Sequence, residues 1–143
     1  MGMYMPALDI FMRFLNILSA ITLVGGALTW KFAFVPATEH LSAETRSKTG
    51  DALARAWRPF VLAAILGALI SGTYNLVGKM QSPLPPAYHP IIGIKILLAL
   101  HVFAVLWLVT KPGNEKRARQ LTGVMFSAIV IVTLGAVLRW LTA

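Results

Sequence analysis

His89-Pro90-Ile91-Ile92-Gly93-Ile94-Lys95-Ile96-Leu97-Leu98-Ala99-Leu100-His101-Val102-Phe103-Ala104-Val105-Leu106-Trp107-Leu108-Val109 is the stretch that settles the fold. A bilayer core about 30 Å thick is crossed by about 20 apolar residues in one helix, and this run has that length. Only Lys95 and His101 interrupt its apolar character. Hydrocarbon penalises an ionisable side chain, so either residue inside a spanning helix marks a functional site by default.

Three further apolar runs flank it, over about 10–35, 59–77 and 121–141; the opening stretch itself supplies a span over 91–109. Together they predict an all-α polytopic membrane protein. One four-helix transmembrane bundle occupies residues 1–143, running up-down-up-down with left-handed packing. Composition agrees, since the chain is 57% hydrophobic and 13% charged, against about a quarter charged in soluble domains. No basic segment precedes the first run and Asp9 stands where a signal peptide would carry a cation, so this helix is expected to be retained. Pro36 is expected to end it. Ser42 is expected to cap a short helix through Trp57, with Pro59 in the first turn of the second span. Pro83, Pro85 and Pro86 predict a stiff, non-helical connection over 78–90.

The net charge is +8. Its basic residues cluster beside the spans, which is how membrane proteins are oriented, so no nucleic-acid partner is expected. Lys31, Arg46, Lys48, Arg55 and Arg58 lie in or beside the first connection, and Lys111, Lys116, Arg117 and Arg119 in or beside the third. The second holds only Lys79. The positive-inside rule then makes the basic connections cytoplasmic and puts both termini outside. Trp30, Trp57 and Trp107 fall at the cytoplasmic edge and Trp140 at the outer edge, as an aromatic belt would.

This orientation sorts the polar residues by depth. Arg13 and Asn16 on the first span, Ser71, Tyr74 and Asn75 on the second, Lys95 on the third and Arg139 on the fourth all fall in the outer half, with His101 near the middle. Such asymmetry suggests a polar pocket open to the outer side. Asn16, Lys95 and His101 are expected to face the interior, with Arg13 and Arg139 at the mouth. Lys95 and His101 lie about 120° apart around their helix, so the pocket must wrap around it. The competing reading is that Arg13, Lys95 and Arg139 snorkel to the headgroups; Asn16 and His101 are too short for that. Small residues at Ala63, Gly67, Ser71 and Asn75, and at Gly123 and Ser127, predict seams for close helix approach.

Arg13-Phe14-Leu15-Asn16-Ile17-Leu18-Ser19-Ala20, Gly25-Gly26 and Val35-Pro36 resemble the first helix of the copper resistance D (CopD-like) membrane domain. Tyr88 through Leu100, with its lysine at Lys95, is similar to another helix of that family, and Gly67 to Gly72 to its glycine-ended second helix. The first-helix pattern also resembles the HemJ-like group of four-helix membrane proteins. Both groups commonly place a histidine where this chain has Asn16. The resemblance implies a domain of a bacterial-type inner (plasma) membrane, with a periplasmic outer side, linked to copper uptake or tolerance, or to a redox cofactor such as haem b.

His101 is a candidate metal or haem ligand, or a packing residue. His89 and His101 are about 18 Å apart along one helix and cannot share an iron; the haem would be five-coordinate, or take its second axial ligand from a partner subunit. Met3, Met5 and Met80, with His89, are candidates for an external Cu(I) capture site, because thioethers suit soft copper. Cysteine is absent, which excludes thiolate sites. No nucleophile–base–acid set is visible, so hydrolytic chemistry is disfavoured. A third reading is a non-catalytic structural subunit, bound to a second copy or another membrane subunit within the lipid bilayer. Orientation is testable by reporter fusions: Ser47 and Asn114 should report as cytoplasmic and Pro85 as external, and a cytoplasmic Pro85 would invert the assignment.

Overall fold

The computed structural model describes residues 6–114 and 116–142; Met3 and Met5 lie outside them. Among the described residues there are four long helices and no strand. Helix α1 runs Pro6–Thr29 and continues through a π-helical turn, Trp30–Phe34, into a last turn, Val35–Ala37. Helices α2 (Ala43–Met80), α3 (Tyr88–Val109) and α4 (Arg117–Leu141) come after it. All four are long and apolar enough to cross a membrane, and the protein is a multi-pass integral membrane protein of the all-α, four-helix class.

Several boundaries differ from expectation. Pro36 does not end α1, which runs on to Ala37. The wide turn just before it, closed by a Val35 N–H to Trp30 C=O bond, eases the missing donor and ring clash that proline brings to a regular helix. Ser42 does cap a helix, its hydroxyl accepting from the Thr45 N–H at 3.2 Å. That helix is not a separate short one: it passes through Pro59 without a break to Met80, 38 residues in all. At 1.5 Å per residue this is about 57 Å, so its first third stands clear of the hydrocarbon. Arg117 and Arg119, expected in the third connection, belong to the first turns of α4.

The helices pack as two tight antiparallel hairpins, α1 with α2 and α3 with α4, which meet each other less extensively. In the first hairpin Gly26 lies directly against Trp57, and a Cβ there would collide with the indole. A Cβ on Gly67 would come within 2.7 Å of Ser19 Oγ. Small residues thus let the two backbones approach, as predicted for Gly67 and Ser71; Ala63 is exposed, and it is Ala64 that is buried. Gly123 is exposed and touches nothing.

The apolar core lies toward the end that holds the two basic connections, hereafter the collar end. Leu23, Ala27, Trp30, Ala54, Val61, Val102, Leu106, Val109, Leu121 and Val124 are buried there. Trp30 and Trp57 were expected to face the membrane edge; instead they pack inside with ring centroids 5.8 Å apart. Trp107 and Trp140 are exposed, as a belt requires. Toward the proline connection Tyr88 and Leu138 are buried, but the inward positions between them and the core include Asn16, Ser71, Lys95 and Gly135, too small or too polar to fill the interior, and the bundle opens.

Arg117 fastens the collar end. It is 8% exposed. Its Nε donates to Val109 O at 2.8 Å, and its Nη2 to Lys111 O at 2.9 Å and to Asp51 Oδ1 at 3.1 Å. The guanidinium also stacks on Trp30, 5.2 Å from the ring centroid. Asp51 accepts a further bond from the Gly113 N–H at 3.0 Å. Gly113 has φ +73°, a conformation that glycine adopts at little cost. The Gly113 N–H and then Arg117 hold the Asp51 carboxyl below the usual aspartate range. A depressed carboxylate stabilises the fold above its unfolded pKa and loses that contribution as pH falls through the folded value. Arg117→Met should lower unfolding stability by about 3 kcal/mol and Asp51→Asn by about 1.5 kcal/mol. Asp51→Asn should also flatten the acid limb of the stability profile. Denaturant titration of detergent-purified protein at neutral and acid pH reads both.

Candidate functional site

The opening at the proline end is a cavity of about 810 Å³ reached by all four helices. From α1 come Asp9, Arg13 and Asn16; from α2, Gly72, Tyr74, Asn75 and Lys79; from α3, Tyr88, Ile92 and Lys95; from α4, Gly135, Leu138 and Arg139. Among the described residues its wall therefore holds four cations, Arg13, Lys79, Lys95 and Arg139, and one carboxylate, Asp9.

Each wall is built by helical spacing. On α1, Asp9, Arg13 and Asn16 recur at i, i+4 and i+7 and share one face. Asn16 Nδ2 donates to Ser71 Oγ at 3.1 Å, and the buried Ser71 hydroxyl donates to Gly67 O at 2.7 Å. This chain fixes the α1–α2 register at the cavity floor. At the mouth the Tyr74 hydroxyl donates to Asp9 Oδ1 at 2.7 Å. The single carboxylate is thus already engaged. On α3, Tyr88, Ile92, Lys95, Ala99, Val102, Leu106 and Val109 fall at alternating three- and four-residue steps, and Tyr88, Val102, Leu106 and Val109 on that face are buried. Lys95 is the one charge on it. Its half-buried side chain passes α4 where Gly135 leaves room: a Cβ there would lie 3.4 Å from Lys95 Nζ. Among the described residues the Lys95 ammonium has no hydrogen-bond or ion-pair partner; it faces the cavity. Arg13 and Arg139 are exposed at the mouth.

Four of the expected pocket residues are therefore brought together: Asn16, Lys95, Arg13 and Arg139. His101 is not. It is exposed on the outside of α3 and does not line the cavity, contrary to the expectation that it faces the interior. The inward face of α3 passes through Lys95 and Val102, and His101 falls off it by one residue, about 100°. His89 is exposed just outside the cavity and Met80 is 60% exposed on the end of α2. Among the described residues no group of three His, Asp or Glu side chains converges to hold a metal ion. Among the described residues the cavity wall offers no imidazole, thiolate or thioether to a copper ion or a haem iron, and its cations would repel the former. These donors do not fit either group at this site.

Tyr74 and Asn75 line the pocket as their depth suggests, and Lys79 and Asp9 are pocket residues beyond the sequence expectation. The signal for Lys79 is present, since Gly72, Asn75 and Lys79 share a face of α2 at three- and four-residue steps. Arg117 reads in the sequence only as an orienting charge; its burial depends on the folded-back α3–α4 turn, which no local pattern reveals. No protein-family model, curated protein or solved structure matches this chain.

Asn16→Ala should remove the one side-chain donor to Ser71 Oγ, which keeps its bond to Gly67 O, and cost about 1 kcal/mol, whereas His101→Ala, on the exposed face, should change stability by less than about 0.5 kcal/mol. Unfolding midpoints in detergent measure both, and a large loss for His101→Ala would place it inside the packed bundle.

Proposed function

We propose that the protein is an inner-membrane protein of the CopD-like type that holds a negatively charged ligand in the basic cavity, which opens on the periplasmic side. The observation that carries this reading is the charge of the wall. Four cations surround the space, the one carboxylate is hydrogen-bonded to Tyr74, and Lys95 faces it without a counter-ion. A cation held in a poorly solvated site favours an anion, because pairing offsets the loss of hydration. Lys95 is the deep contact; Arg13 and Arg139 close the mouth, where a guanidinium fork suits carboxylate or phosphate oxygens.

A copper role is the second reading, supported by the exposure of His89 and Met80 beside the proline connection, where external Met3 and Met5 could join them. In that case copper would be captured outside the cavity, by thioether and imidazole donors suited to Cu(I). A haem reading would use the exposed His101 and a ligand from a partner subunit.

Thermal unfolding of the detergent-purified protein with inorganic phosphate, and separately with Cu(I), distinguishes these. Phosphate should raise the midpoint of the wild type, and Lys95→Gln or Arg139→Gln should weaken that response about tenfold in apparent affinity. His101→Ala should leave it unchanged. No phosphate response, with a Cu(I) response lost in His89→Ala with Met80→Ala, would replace the first reading by the second. A Soret band on purification, lost in His101→Ala, would favour the third.

A further inference from the structure

A second, smaller cavity of about 230 Å³ lies between α1 and α4. Val24 and Leu28 on α1 face Met125, Ile129, Val132 and Thr133 on α4 across it. Its wall is almost wholly apolar, and Leu28, Ile129 and Val132 are open to the bilayer. The basic cavity reaches the same α1–α4 cleft from the proline end, through Arg13 and Asn16 on one side and Gly135 and Arg139 on the other. On α4 the two linings are separated by a single residue, between Thr133 and Gly135, and on α1 by seven, between Asn16 and Val24. The cleft persists because α1 and α4 pack along a far shorter stretch than either packs with its own hairpin partner.

The geometry points to an anionic phospholipid as the ligand: its phosphate headgroup sits in the basic cavity and an acyl chain lies in the apolar α1–α4 groove. This rests on the anion reading above and names its ligand class. The charge fits. Arg13 and Arg139 stand on opposite banks of the cleft at its polar end, and Lys95 reaches the cleft past Gly135. From Gly135 to Met125 is about 15 Å along the helix, half of a hydrocarbon core about 30 Å thick. The groove thus crosses the middle of the span over 121–141, and its polar end, at Gly135, lies about 9 Å inside the proline-end boundary, beside the Lys95 ammonium. A free anion would use the cationic end and leave the groove without a role.

The test uses the full chain in nanodiscs of mixed phosphatidylglycerol and phosphatidylcholine, with retained lipid counted by native mass spectrometry after release. Phosphatidylglycerol should be retained over phosphatidylcholine. Lys95→Gln and the exposed-site variant Arg139→Gln should each reduce that retention about tenfold. Leu28→Trp and Val132→Trp, which fill the groove from its open side, should reduce it comparably while leaving the phosphate thermal shift intact. If the cationic variants lose the lipid but the groove variants keep it, the acyl-chain assignment is wrong and the anion reading stands. If phosphatidylglycerol shows no preference while inorganic phosphate still binds, the ligand is a free anion and the lipid proposal is overturned. If neither probe responds, both the proposal and the reading beneath it fall.

Discussion

A buried guanidinium cannot escape its charge by losing a proton, and it is tolerated only where its donors are taken. Arg117 meets that condition with groups from three separate places: the last carbonyl of α3, a carbonyl of the α3–α4 turn, and the carboxylate of Asp51 on α2. Trp30 of α1 covers its face. One side chain on α4 therefore ties all four helices together at the collar end. Large apolar residues fill the interior next to it. With that end closed, the opposite end does not need a dense core, and its inward positions are free to be small, polar or charged. The cavity is the consequence of this division of labour along the bundle.

The number, order and approximate extent of the helices were legible in the sequence because hydrocarbon demands long apolar runs. So was the polar half of the bundle, since Arg13, Asn16, Lys95 and Arg139 could be sorted by depth alone. Rotation about the helix axis was not legible. Helix α3 is apolar nearly all round, so hydrophobicity does not say which face turns inward, and only the ionisable ring of His101 argues for placing it inside. The three- and four-residue steps through Lys95, Val102, Leu106 and Val109 become informative only once the buried residues are known. Pro59 misleads for a related reason: proline disfavours a helix interior, but in α2 the flanking turns, anchored by Trp57 against Gly26 before it and by the buried Val61 and Gly67 after it, hold the helix through it.

The character of the cavity also depends on what is already spoken for. Counting charges in the sequence gives an undivided surplus of cations attributed to topology. In the folded chain the collar cations and the cavity cations are separate populations. Asp51 is paired with Arg117, and Asp9, held by Tyr74, is a single negative charge against four cations in the cavity wall and forms no ion pair with Lys95 among the described residues. That distinction turns a polar pocket of unspecified preference into one biased towards anions, and it moves attention from the imidazole of His101 to the ammonium of Lys95.

The π-helical turn of α1 has a further bearing on how this helix tolerates changes in chain length. Its inward face passes through Ser19, Leu23, Ala27, Trp30, Phe34 and Thr38. Those positions cover nineteen residues in five turns, where a regular helix would use about eighteen. The wide turn at Trp30–Phe34 absorbs the surplus residue without rotating the residues beyond it, and it leaves Lys31 bonded to Thr122 on α4. A single-residue deletion within this turn would convert it to regular α-helix and keep Thr38 in phase with Ser19. The same deletion nearer Asn16 would swing everything on one side of it by about 100° and take the helix off its partner. Insertions and deletions in α1 are thus channelled to one turn.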